Sequence, residues 1–314
     1  MRIQNTDSAK PDFAEDDFSQ PDISKLADLS RRLRIDSLVA IYHAGSGHPG
    51  GALSAADLLS YICTHLLSWS PSDRNGRDRD RFVLSKGHAC PVLYGAAAEC
   101  GLIPHSMLLT FRKLGSPLQG HPHVLDAPWV ETSTGSLGQG FSAAIGMAMG
   151  LRYQHSGARV YAMLGDGEMQ EGEVWEGAMC AGHYKLDNLC AIADYNKLQS
   201  DDSNENIMGV APLRAKWDAF RWHVVEIDGH DFQQIDAAFT EAKNTTGKPT
   251  MIIANTLKGR GVSFMEASPL WHGSVKLRDE ELVTALRELG VPENDVKGYL
   301  DGSNWQDVCH NDGR

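Results

Sequence analysis

"YAMLGDGEMQEG", residues 161–172, is the stretch around which the rest of the chain can be read. A short apolar run, Tyr161-Ala162-Met163-Leu164, halts at Gly165-Asp166-Gly167, and three glutamates, Glu168, Glu171 and Glu173, follow. Bounded by turn residues, such a run reads as a buried strand. Open α/β sheets bind ligands outside the carboxyl ends of their strands, which is where Asp166 falls. Gly165 and Gly167 permit unusual dihedrals and let a ligand approach the backbone closely. Asp166 therefore has three readings: a turn or helix cap, a metal ligand, or a group that moves protons.

Working outward, similar runs recur at 80–85 (DRFVLS), 159–164 (RVYAML), 188–194 (NLCAIAD), 222–227 (WHVVEI) and 250–255 (TMIIAN). Each is separated from the next by a stretch long enough for a crossover helix. Helical spacing of apolar residues predicts helices over Ile23–Tyr42, 54–67, 89–100, 138–154 and 277–290, with Gly45 stopping the first and Gly290 the last. This alternation predicts an α/β fold: a doubly wound, mainly parallel sheet with helices on both faces. No repeat or composition break follows residue 25, so residues 26–314 read as a single α/β domain behind a flexible leader, residues 1–25. The polar tail beyond 290 reads as loosely ordered.

Composition limits the function. A net charge of −12 over 314 residues argues against nucleic acid or a membrane surface as partner, although a local basic cluster can still receive an anion. Six cysteines without a Cys-x-x-Cys spacing fit a reducing cytosol, and a cytoplasmic location is expected. No apolar run approaches the ~18–20 residues of a membrane span, and the leader lacks a secretory apolar core.

Two constellations carry chemistry. Asn196 ends the next strand in "ADYNKLQ", thirty residues beyond Asp166. A carboxylate, an amide oxygen and a neighbouring backbone carbonyl form a hard-oxygen set suited to Mg²⁺ or Ca²⁺, with phosphates supplying the remaining ligands. The second constellation is four histidines in Gly/Pro-rich turns: His48 in "GSGHPGG", His88 in "SKGHA", His121 in "QGHPH" and His272 in "PLWHGS". Four similar settings suggest imidazoles lining one cleft, able to bond sugar hydroxyls or move protons near neutral pH. A zinc cluster is the competing reading, without the His/Cys pairing it requires. The glycine-rich "STGSLGQG" (133–140) can pack against a heterocycle or a diphosphate. His123 stays open, and the other eight histidines receive no role.

In order along the chain, "GSGHPGG", "DRFVLSKGHA", "GHP", "STGSLGQG", "GDGEMQEG", "DYNKLQ" and "KGRGVSFMEASPLWHGS" resemble the amino-terminal, diphosphate-binding half of transketolase, over roughly residues 25–275. The resemblance implies thiamine diphosphate and Mg²⁺ as cofactors, with Ca²⁺ or Mn²⁺ as substitutes. It implies that Asp166, Asn196 and the Leu198 carbonyl hold the metal. It implies that His88, Gly135, Leu137, Gly167, Asn196 and His272 contact the cofactor. His48, His121 and His272 would face the sugars, and Glu171 would lie at a subunit interface beside the cofactor. Lys86 and His123 stand out as minor departures that tune substrate fit.

The implied reaction is transfer of a two-carbon ketol unit from a ketose to an aldose, free or phosphorylated, as in pentose phosphate metabolism. Nothing after Gly273 resembles the family's pyrimidine-binding and carboxyl-terminal domains. A partner chain is expected to supply them, in an α2β2 assembly with sites between unlike subunits. The rival readings are a deoxyxylulose-phosphate synthase-like enzyme, a specialised sugar transketolase, a non-catalytic diphosphate-binding regulatory subunit and a metal-dependent hydrolase.

Overall fold

The computed structural model describes residues 21–67 and 78–305. In chain order the helices and strands are α1 (Ile23–Ala44), α2 (Pro49–Tyr61), β1 (Arg81–Leu84), α3 (Cys90–Glu99), α4 (Gln139–Tyr153), β2 (Val160–Gly165) and α5 (Gly172–His183). They continue as β3 (Leu189–Tyr195), α6 (Asn204–Ile207), α7 (Leu213–Ala219), β4 (His223–Asp228), α8 (Phe232–Asn244), β5 (Thr250–Asn255), α9 (Asp279–Glu288) and α10 (Glu293–Asp301). Asp22 starts α1 by accepting from the amides of Ser24 and Lys25, and Gly45, at φ 70°, ends it in a left-handed cap.

The five strands are all parallel and run in the order β1-β2-β3-β5-β4. β2 and β3 lie inside the sheet and read as nearly continuous apolar runs, as parallel strands covered on both faces do. Their side chains alternate between layers. Tyr161, Met163, Cys190 and Ile192 face a layer built from α1, α2, α3 and α8. Val160, Ala162, Leu164, Ala191 and Ala193 face α4, α5 and α7. The chain leaves β1 for α3 on the first face and β2 for α5 on the second. That divergence opens a crevice at the carboxyl ends of the two strands.

All five strands form within one residue of their expected limits, and the helices over 23–42, 89–100, 138–154 and 277–290 form within two. Two readings change. The helix expected from residue 54 begins at Pro49, a proline that suits a first helical turn, so His48 is the N-cap of α2 and not a loop residue. The tail expected to be loose is helical. α10 and Trp305 pack with α9 and the outer faces of α1 and α3, where Leu38, Val39, Tyr94, Leu282, Leu286, Val296 and Trp305 form a third apolar layer. Of the expected leader, residues 1–20 lie outside the described residues, as do 306–314, and Ile23–Lys25 are the first turn of α1. Among the described residues no helix is long and apolar enough to cross a membrane.

Trp305 is 4% exposed and its ring meets Tyr299 edge-on at 6.2 Å. Trp305→Ala is expected to lower the unfolding free energy by about 3–5 kcal/mol, measured by urea denaturation. A change below about 1 kcal/mol would mean that α10 is not part of the core.

Candidate active site

The crevice is held together from beneath by a buried ion pair. Asp194, in β3, is 0% exposed, and Lys86, just after β1, is 1% exposed. The Lys86 ammonium donates to an Asp194 carboxylate oxygen and to the Gly51 carbonyl at 2.8 Å. Asp194 also accepts from Ser54 Oγ at 2.6 Å, Asn196 Nδ2 at 3.3 Å and Thr256 Oγ1. Burial pushes the Asp194 carboxyl up, but the Lys86 ammonium and the two hydroxyls outweigh it, so the group stays below the usual carboxylate range. α2, the turn after β1, and the ends of β3 and β5 therefore meet at one charge. Lys86, expected to tune substrate fit, is a buried structural cation.

A second buried acid, Glu168, joins the glycine-rich loop to the sheet. Its carboxylate accepts from the amides of Gly138 and Gly165, each at 2.9 Å, and from the Ser85 hydroxyl. Sequence reading passed over it in favour of Glu171. Glu171 is exposed at the N-cap of α5, beside the Gly138 turn and outside the cluster of histidines.

The four histidines converge. Ring centroids lie 5.4 Å apart for His48 and His88, 6.2 Å for His48 and His121, 5.8 Å for His48 and His272, and 5.3 Å for His88 and His272. His48 caps α2, His88 sits in the short turn after β1, His121 in an irregular segment, and His272 ends a short turn beyond β5. Gly273 makes the closest approach possible: a Cβ there would fall 2.2 Å from the His48 ring. His123 is outside this group, paired with Asp126 at 2.7 Å. Gly135 lies against the His121 ring. Leu137 is half-buried in the turn entering α4, and no hydrogen bond or ring contact ties it to the histidines.

Burial and neighbouring cations keep the imidazoles neutral. His48 is lowered to about 4 by burial, then by Arg112, His121 and Lys258. His272 is lowered to about 3 by burial, then by Lys258, His48 and Lys86. His88 and His121 are lowered too, burial first in each. The unfolded chain takes up these protons near pH 6.5 and the folded one does not. Acid therefore works against the fold as pH falls from about 6.5 toward these lower values.

Two cations set the tautomers. Arg112 Nη2 donates to His48 Nδ1 at 3.2 Å while its Nη1 donates to Ser46 Oγ at 2.7 Å. Lys258 Nζ donates to His272 Nδ1 at 2.8 Å and to the Leu198 carbonyl at 2.7 Å. Both partners only donate, so each imidazole accepts at Nδ1 and carries its proton on Nε2. Burial, before any charge effect, lowers Lys258 to about 8, which leaves it mainly cationic at neutral pH. Lys258 was missed, although its place just beyond β5 was a usable signal. Arg112 lies in an irregular segment with no such signal.

Asp166, directly after the last residue of β2, caps the short turn that follows it. Its carboxylate accepts from the Gly167 amide at 2.8 Å and from the Lys197 amide. Burial, and then the Asp194 charge, raise it to about 6. Asn196 Oδ1 accepts from the Leu198 amide at 3.2 Å. Arg112 (φ 58°) and Lys197 (φ 68°) both hold left-handed backbone here, a strain of about 1–3 kcal/mol each.

The family described as "Transketolase, thiamine diphosphate binding domain" matches residues 24–297. The chain belongs to this family. It is 42% identical over 270 residues to the 6-deoxy-6-sulfo-D-fructose transketolase subunit SqwG of Clostridium sp. (strain MSTE9), covering 86% of this chain and 97% of that protein. It is 45% identical over 260 residues to the transketolase of Rattus norvegicus, covering 82% of this chain and 41% of that one. Transketolase from Campylobacter jejuni superposes with a TM-score of 0.81 at 30% identity, covering 91% of this chain and 48% of the other. The chain thus spans less than half of these longer transketolases.

Lys86→Ala is expected to cost about 3–5 kcal/mol of stability by leaving Asp194 charged and buried without its partner. The double variant Lys86→Met/Asp194→Leu should cost less than the single one in the same urea-unfolding comparison. A single-variant loss below about 1 kcal/mol would mean that the pair does not hold the crevice together.

Proposed function

We propose that this chain is the diphosphate-binding subunit of a split transketolase, acting with thiamine diphosphate, Mg²⁺ and a partner that completes the site. The observation that carries this reading is the convergence of His48, His88, His121 and His272, with His272 joined through Lys258 to the oxygen set beyond β2 and β3. The requirement for a partner is supported by similarity along nearly the whole of a relative named as a transketolase subunit.

The residues fit both groups. Asp166, Asn196 and the Leu198 carbonyl are a carboxylate, an amide oxygen and a backbone carbonyl, a set that suits Mg²⁺. The raised Asp166 and its repulsion by Asp194 are relieved by a cation. Lys258 donates to one of these oxygens, the Leu198 carbonyl, and feels the Asp166 charge; it would supply positive charge for a diphosphate. A Cβ on Gly51 would lie 3.6 Å from His88 Nε2 and 3.7 Å from Lys86 Nζ, so its absence leaves room between them. Gly135, Leu137 and Gly167 would line the cofactor's path. Exposed Glu171 would meet a second subunit.

Thiamine diphosphate, when bound, supplies the electron sink for breaking and making a carbon–carbon bond next to a ketose carbonyl. The chain's own part is to bind, orient and donate. His48 and His272 present Nε2–H donors, suited to carbonyl and alkoxide oxygens as negative charge develops on them. Arg112 and Lys258 hold those tautomers from behind. His121 would take a sugar hydroxyl, and half-buried His88 would border the cofactor.

Native mass spectrometry of the protein from its source, in Mg²⁺ buffer, is expected to find two copies joined to two copies of a second chain, with thiamine diphosphate retained. That complex should transfer a ketol unit. Its His48→Ala variant should lose about 10²–10⁴-fold in kcat while keeping the cofactor. A complex without ketol transfer, or full turnover by His48→Ala, would sink the reading.

A further inference from the structure

Outside the crevice one polar cluster has no part in the chemistry proposed above. Asp36 on α1, Glu99 at the end of α3 and His105 in the short turn that follows lie together, each offering a ligand atom within 4.8 Å of the other two. Among the described residues, this is the single group of three or more His, Cys, Asp or Glu that converges so closely. The cleft histidines, although neighbours, do not.

The cluster looks short of an occupant. Asp36 is 4% exposed, and its Oδ2 has no hydrogen-bond partner. His105 Nε2 lies 4.0 Å from that oxygen. Gly95 lies beneath, where a Cβ would come within 3.4 Å of the same Oδ2. His105 Nε2 is 3.3 Å from Glu99 Oε1, and the other Glu99 oxygen is taken by Arg32 Nε at 2.9 Å. One nitrogen and two oxygens therefore face a common point, each belonging to a different residue. Separations of 3.3 and 4.0 Å are close to the ~3.0–3.5 Å between ligands that share an ion at ~2.0–2.2 Å. The Glu99 and His105 side chains are 13% and 18% exposed, which leaves a way in for an ion and its waters.

We propose that Asp36, Glu99 and His105 form a second metal site, binding a divalent transition-metal ion of the Zn²⁺ class and tying α1 to α3 and the turn beyond it. The donor set decides the class. An imidazole with two carboxylates suits Zn²⁺ and its neighbours, whereas Mg²⁺ and Ca²⁺ prefer all-oxygen shells. The site is structural: its ligands come from α1, the end of α3 and the turn beyond it, and none of them is among the crevice residues. The competing occupant is a proton. Burial lowers His105, but the hydrogen bond it donates to Glu99 and the charges of Asp36 and Glu99 outweigh it and raise the imidazole above its usual range. Arg32 already balances part of the acidic charge.

The test is Zn²⁺ titration of the full chain after removal of metals, in millimolar Mg²⁺ to hold the hard-oxygen site, followed by calorimetry and by nitrogen-detected spectra of the histidine rings. The expected result is one saturable Zn²⁺ site, a rise in melting temperature on binding and a metal-dependent shift of the His105 ring nitrogen. Both His105→Ala and Glu99→Gln should abolish that binding. Glu99→Gln keeps the side-chain shape if the alanine variant folds poorly. No saturable Zn²⁺ binding would overturn the proposal and leave a proton-bridged charge network. So would binding that survives both substitutions, or binding that shifts the cleft histidines and leaves the His105 ring unmoved.

Discussion

The buried Lys86–Asp194 pair is the constraint on which the rest of the site depends. An ammonium and a carboxylate taken fully out of water cost several kcal/mol each, and they persist when their geometry and their other hydrogen bonds are complete. Here they are: Asp194 receives Lys86, Ser54, Thr256 and Asn196, while Lys86 also reaches the Gly51 carbonyl. These donors come from α2, the turn after β1, β3 and the segment after β5. The one charge therefore fixes where the His48 cap, the His88 turn and Asn196 stand relative to one another. A well-packed apolar pair at these two positions would hold the sheet as well, but it would lose the fixed register of those segments.

Above that pair, charge of both signs is placed locally against the global balance. The chain carries −12 overall. Within the crevice, Lys258 and Arg112 stand among four imidazoles that burial and nearby cations, with Lys86 beneath, hold neutral. The result is a pocket that donates hydrogen bonds and presents fixed positive charge. Asp166 lies beside it, raised by burial and by the Asp194 charge beneath. Net charge says little about a small anion, because the crevice answers to its own few residues.

Much of the fold was legible in the sequence, for a simple reason. Interior parallel strands are uninterrupted apolar runs and amphipathic helices repeat every three or four residues, so β1 to β5 and α1, α3, α4 and α9 announce themselves. α10 did not: Val296, Leu300 and Trp305 are too sparse in "PENDVKGYLDGSNW" to form a pattern, and they pack only against helices distant in sequence. The four histidines were legible because glycine and proline mark turns at strand and helix ends. Arg112, Lys258, Glu168 and His105 were not singled out, since a side chain that acts by touching a group far along the chain leaves no local spacing. His105, given no role by its sequence, faces two carboxylates. Nothing local to "SKGHA" reveals that Lys86 pairs with an aspartate on another strand.

The central claim is that the crevice presents neutral imidazoles with the proton on Nε2, enforced by Arg112 and Lys258. Two-dimensional ¹H–¹⁵N spectra of the histidine rings, followed with pH, test this most directly. The account predicts that at about pH 6, where an ordinary imidazole near 6.5 is mostly protonated, His48 and His272 remain neutral with a protonated Nε2 and an unprotonated Nδ1. An imidazolium at either position at that pH, or a proton found on Nδ1, would contradict it.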